Sequence, residues 1–245
     1  MHGIRGDASA GARVAKVSVA ALVLGLSAIG CVGDDSGDQP PNAEESVASG
    51  AGSPSAEPSP VGEELPVEVT EADSELITYE SLQERLPAPP DDASLTEDVL
   101  HTLRTDTVLM AGVWAETSGE CEGGELGGGD TATCVVRYAG EEVRWSVTVD
   151  DGPGIFSYTY TPDNAVLTAQ AVRGQFWTGF NGWRTQQRCS DIPDVTVVPV
   201  ADFGRQHYTG FRCQYLDEYA EGNPVWRDHS VVVDENGEIG FIEVV

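Results

Sequence analysis

The chain has 245 residues, is 22% charged and carries a formal net charge of −28. So acidic a surface repels nucleic acid and anionic lipid headgroups, and both are excluded as electrostatic partners. The length suits one large domain or two small ones, beyond any leader or tail.

The first segment reads as an address. Arg5, Arg13 and Lys16 precede or open an apolar run that ends at Ile29, and Gly30 sits just before Cys31. A charged, then apolar, then small-residue layout is that of an export signal. Ser27-Ala28-Ile29-Gly30-Cys31 resembles the bacterial lipobox, with Ala28 where leucine is usual. The resemblance implies that residues 1–30 are removed and that Cys31 is lipidated. It would hold the chain on the outer face of the cell membrane, as a palmitate-type lipoprotein. An ordinary cleaved signal and an uncleaved anchor are the alternatives. Beyond this leader, ten arginines and no lysine face forty acids.

Residues 31–75 read as a tether. Twelve acids lie between Asp34 and Glu75, with Pro40, Pro41, Pro54, Pro58 and Pro60 among Ser, Ala and Gly. No aromatic residue precedes Tyr79, and no basic residue lies between Lys16 and Arg85. Such a segment buries too little apolar surface to offset its ordering entropy. As a coil it would span roughly 35–40 Å r.m.s.. Residues 76–93 are a short preamble, with a helix over Tyr79 to Leu86 stopped by Pro87, Pro89 and Pro90.

The folded head is expected to start at Ser94. Ser94-Leu-Thr-Glu97 fits a capping box, and Val99, Leu100 and Leu103 follow at helical spacing. Further on, Ser146-Val-Thr-Val-Asp-Asp151 leads into Ile155, and Ser230-Val-Val-Val-Asp-Glu235 leads into Ile239. The spacing between the two blocks is constant at 84 residues. Each block follows a cysteine pair, Cys121 with Cys134 and Cys189 with Cys213. A helical stretch lies before each pair, at about 95–111 and about 164–180. Alternation over Val143, Trp145, Val147 and Val149 marks strands. Asp151-Gly152-Pro153-Gly154 and Glu235-Asn236-Gly237-Glu238 carry hairpin chemistry. The predicted fold is α+β, in two tandem repeats over 94–162 and 163–245. Each repeat is a helix on an antiparallel sheet of three to four strands, and the two sheets can join edge to edge.

Outside the leader four cysteines remain, an even set that in an exported chain predicts two disulfides. Three pairings are open, and the repeat favours the local one, with one bridge per repeat. A zinc site lacks the usual ligand spacings.

This plan resembles the secreted β-lactamase inhibitory proteins, which are tandem helix-on-sheet repeats with one disulfide each. It also resembles small actinobacterial lipoproteins. The resemblance covers 94–245 and rests on the two cysteine pairs and the aromatic-rich strands. No residue-level motif carries a binding site across. It implies a fold and, by analogy, protein binding through a concave sheet face.

Catalytic chemistry finds no motif. A G-x-S-x-G elbow is absent, and His101, His207 and His229 read as surface, loop and half-buried positions. The acids at 150–151 and 234–235 read as turn formers, with calcium as the alternative. No catalytic residue, metal ligand or cofactor site is assigned. The aromatics carry the binding expectation, since exposed Trp, Tyr and Arg anchor interfaces. Trp145, Phe176 and Phe180 read as core. Trp183, Arg184, Arg188 and Tyr219 are the candidate contact residues. The expected function is a non-catalytic module that binds an envelope or secreted protein, with a small-ligand or lipid carrier as the alternative.

Overall fold

A computed structural model describes residues 60–151, 157–180 and 186–244. They form an α+β head of helices laid on antiparallel sheets. Cys31, Trp183, Arg184 and the 152–154 part of the first hairpin lie outside the described residues.

Helix α1 (Tyr79–Arg85) is short, and α2 (Leu95–Ala111) opens with the expected box. Glu97 N–H donates to Ser94 Oγ at 3.3 Å, and Glu97 Oε2 accepts from Ser94 N–H at 2.8 Å. The helix stops at Gly112, whose φ of 71° suits a left-handed cap. A meander follows: β2 (Thr117–Cys121), β3 (Thr131–Tyr138), β4 (Glu141–Val149) and β5 (Tyr158–Pro162), paired in that order. Along β4 the residues Val143, Trp145, Val147 and Val149 are buried, and Arg144, Ser146 and Thr148 are exposed. Val143, Trp145 and Val147 of that row meet Val99, Leu103 and Val108 of α2. Each such side chain contributes about 1.5–3 kcal/mol by leaving water.

Strand β6 (Asn164–Thr168) and α3 (Ala169–Phe180) come next. The helix expected over 164–180 therefore begins five residues late. Ala165, Val166, Leu167 and Thr168 are all buried, and an apolar run covered on every side has no period to read. Thr168 is the hinge between the two states. Its hydroxyl accepts Ala171 N–H at 2.9 Å and donates to Ala111 O at 2.7 Å, so one side chain starts α3 and ties it to the end of α2.

The second sheet holds β7 (Gln187–Cys189), β9 (His207–Asp217), β10 (Val225–Val233) and β11 (Ile239–Glu243). A fifth strand, β1 (Val67–Val69), pairs outside β7. Between β7 and β9 the chain makes β8 (Val195–Pro199), which pairs with β6 as a separate ribbon. The two large sheets are thus not joined edge to edge. Helix α3 packs Ala169, Val172 and Phe176 on Cys189, Cys213, Tyr215 and Val231.

Both disulfides form locally, Cys121–Cys134 and Cys189–Cys213. Each joins residues directly opposite on neighbouring strands, with Cα atoms 3.9 Å apart. Loops of this length contribute about 3 kcal/mol each by closure in the unfolded chain.

Composition places the end of the tether near residue 75, but the folded body begins by Val61. Val61 N–H donates to Pro224 O at 2.9 Å, and its carbonyl accepts from Trp226 N–H at 3.1 Å. The Gln214 amide, oriented to satisfy its surroundings, donates to Glu63 O and accepts Leu65 N–H. The Arg188 guanidinium holds Leu65 O, Pro66 O at 3.0 Å and the Glu64 carboxylate at 2.9 Å. After β1, a 3-10 turn over Glu71–Ser74 lies against α3. Gly174 has no room for a Cβ there, because Asp73 O occupies the space. Burial would lift the Asp73 carboxyl, but Thr70 N–H and Arg173 hold it below the usual carboxylate value. Few apolar residues are spent on this strap, so composition alone conceals it.

Candidate functional site

The β10–β11 hairpin shapes one of the concavities of the head. Asp234 Oδ1 accepts the backbone N–H of Asn236 at 2.9 Å and of Glu238 at 2.8 Å. The lead acid of this pair is thus a turn former, as Asp150 is where it accepts Ser157 Oγ at 2.7 Å. Gly237 has φ of 81° and packs on Met110, which lies 2.5 Å from where a Cβ would stand. The positive φ favours glycine, and a Cβ there would displace the end of the Met110 side chain. The turn is so pressed against α2, and a cleft of about 470 Å³ opens beside it.

Among the described residues, five separate stretches line that cleft. Asp106, Leu109 and Met110 come from α2, Trp145, Tyr160 and Pro162 from β4 and β5, Gln175 from α3, and 236–239 from the hairpin. The Trp145 ring is only 2% exposed and meets Tyr160 edge-on at 5.7 Å. Its indole N–H donates to Thr107 Oγ1 at 3.2 Å, so the ring serves as wall. Tyr160 O–H donates to Asp106 Oδ2 at 2.6 Å. Among the described lining residues, the charged groups are the carboxylates of Asp106 and Glu238.

Exposed aromatics lie on the other side of the hairpin. The β8–β9 loop is pinned to it by Ala201 N–H on Asp234 O at 3.4 Å. Phe203 in this loop is 92% exposed, and Tyr208 at the start of β9 is 60% exposed. Tyr208 stands opposite Val232, which stands opposite Gly240 of β11. The sequence gives no hint of Phe203, because one phenylalanine in a polar loop has no periodic context.

Of the expected contact residues, Arg188 and Tyr219 are described and lie apart from these two rings. Arg188 is engaged with the strap, as described. Tyr219 is 78% exposed in the β9–β10 turn, its N–H on Asp217 Oδ1 at 3.2 Å. Trp145 and Trp226 are buried, and Trp114 and Trp177 are half-buried. Phe176 is fully buried and Phe180 packs at the edge of the same core.

His229 occupies the register position opposite Cys213 that Trp145 holds opposite Cys134. It is 5% exposed among the rings of Phe176, Phe180 and Tyr215. Burial pushes its imidazole below the usual value, against the opposing pull of Arg227 O, Glu243 and Asp228. His101 lines a shallower hollow with Asp98 and Tyr158, and burial followed by Arg104 lowers it too.

Among the described residues no group of three or more His, Cys, Asp or Glu side chains is placed to hold a metal ion. No helix among them is long and apolar enough to cross a membrane. Comparison with family models, with curated proteins and with solved structures finds no match.

Proposed function

We propose that this is a lipid-anchored envelope protein whose head is a non-catalytic protein-binding module. The observation that carries the reading is the pair Phe203 and Tyr208, exposed beside the β10–β11 hairpin. Neither ring serves the core, and exposed aromatics of this kind are the usual anchors of interfaces. The two disulfides are compatible with an extracytoplasmic location. The buried setting of His229 and the pairing of Cys121, Cys134, Cys189 and Cys213 favour a binding role over nucleophilic or general-base chemistry.

We read the head as a duplication. Each half runs helix, Cys-strand, Cys-strand and two further strands, with Trp145 and His229 in equivalent register. The likeness to β-lactamase inhibitory proteins is of this plan alone.

The test uses the mature chain with Cys31→Ser as bait on a native envelope extract. A partner held by that chain and lost in the Phe203→Ala/Tyr208→Ala variant, at unchanged Tm, is the expected result. Equal capture by both forms sinks the reading. Palmitate labelling that disappears in Cys31→Ser checks the anchor. The cleft favours a second reading, a small-ligand carrier, because 470 Å³ is within the range of ligand sites. Native mass spectrometry of the purified chain distinguishes it by a retained metabolite.

A further inference from the structure

We propose that the hollow between the α1–α2 linker, α2 and β2 binds a small organic carboxylate, with the Arg104 guanidinium taking the carboxylate and Pro87, Pro89 and Leu100 enclosing its apolar body. The proposal is independent of the protein-binding reading, because the hollow shares no lining residue with the hairpin cleft and includes neither Phe203 nor Tyr208.

Charge supplies the first argument. The chain sets 13 Lys and Arg residues against 41 acids, so a guanidinium finds a carboxylate easily. Arg173, Arg188 and Arg227 are half-buried, and each holds one. Arg104 is half-buried too, yet among the described residues no carboxylate pairs with it. Its Nε–H donates to Thr117 Oγ1 at 2.9 Å. That bond fixes the plane of the fork, and no described residue takes the Nη donors. Enclosing a cation without a counter-charge costs free energy, and burial pushes the Arg104 guanidinium below its usual value. An incoming carboxylate offsets that cost and matches the fork with two parallel N–H···O bonds.

The walls are the second argument. A hollow of about 270 Å³ lies beside Arg104. Pro87 and Pro89, which follow α1, and Leu100 of α2 give it apolar sides. The fixed φ of the two prolines sets their side of the wall before anything binds. Gly119 of β2 completes the lining, and a Cβ there would stand 3.1 Å from Leu100 Cδ2. A larger residue would therefore take up room that glycine leaves.

The third argument selects the class of ligand. Glu97 also lines the hollow, with its Oε2 accepting Ser94 N–H at 2.8 Å. That charge and the net −28 disfavour a polyanion such as phosphate. His101 stands one turn before Arg104 in the same lining. Burial and Arg104 outweigh the pull of Asp98 and lower its imidazole, which is neutral near pH 7. It offers a hydrogen bond without a second positive charge. One guanidinium, one carboxylate and apolar sides suit a monocarboxylate with a compact apolar body. A lone Asp or Glu side chain has too little apolar body to fill them.

The test uses the isotope-labelled mature chain with Cys31→Ser, titrated with benzoate to about 10 mM at pH 7.5. Benzamide and inorganic phosphate are the controls, with NaCl added to match ionic strength. The expected result is saturable movement of the His101 ring signals and of the amides of Leu100, Arg104 and Gly119. A Kd of about 1 mM is what a ligand of this size reaches. Benzamide and phosphate should bind at least about tenfold more weakly. Arg104→Met keeps the length of the side chain and should weaken benzoate about tenfold, against about threefold for Arg104→Lys. Retained circular dichroism shows that both variants fold. Unmoved signals at these residues overturn the proposal, as does equal binding of benzoate by Arg104→Met. Equal binding of benzamide overturns it in favour of an apolar crevice. Tighter binding of phosphate overturns the carboxylate assignment.

Discussion

At residue scale, Thr168 and His229 show how single polar groups are used inside the head. The Thr168 hydroxyl serves the start of α3 and the last carbonyl of α2 at once. Thr168→Val keeps the shape and orphans both groups, so it should lower stability by about 2 kcal/mol in urea unfolding. His229 is held neutral by burial among aromatic rings. Its folded value lies below its unfolded one, so the unfolded chain binds the extra proton. Stability is therefore full above the usual imidazole value and is lost as pH falls below about 6.5. His101 shifts in the same direction and adds to the slope. Denaturant titrations at intervals from about pH 7.5 to 5.5 should show a shallower decline in His229→Phe than in the wild type. Equal slopes would remove His229 from the account.

At element scale, the strap over 61–66 is the least expected piece. It is held by backbone groups on Gln214, Arg188 and β10 rather than by a large apolar face. Arg188→Ala should cost about 1–3 kcal/mol and speed hydrogen exchange at Leu65 well before the core opens. Sequence reading succeeded where signals are local. The Ser94/Glu97 box, the helical spacing that follows it and the alternation along β4 each declare themselves within a few residues. It failed where burial is two-sided, as in β6, or where the anchor is remote in sequence, as with Arg188 and Leu65. The candidate site was largely illegible for the same reason. Asp106, Trp145, Tyr160 and Glu238 meet only because α2, β4, β5 and a hairpin converge.

At the scale of the whole molecule, the net charge of −28 acts against compactness. Seven ion pairs among the described residues offset little of it, and most are solvent-exposed. Raising NaCl from about 0.01 M to about 0.5 M should therefore raise Tm, because screening relieves repulsion more than it weakens these pairs. A lower Tm in salt would show that specific pairs dominate.

The position of the strap also has a mechanical meaning. On the lipid-anchored reading proposed above, the chain enters the head at Val61, which bonds to Pro224 and Trp226. A pull from that end loads the strap first, then β1, one hydrogen bond after another, as a zipper opens. The cystine-stapled cores lie farther along the chain. On that reading the strap would act as a fuse, yielding slack under tension while the two stapled bodies keep their shape.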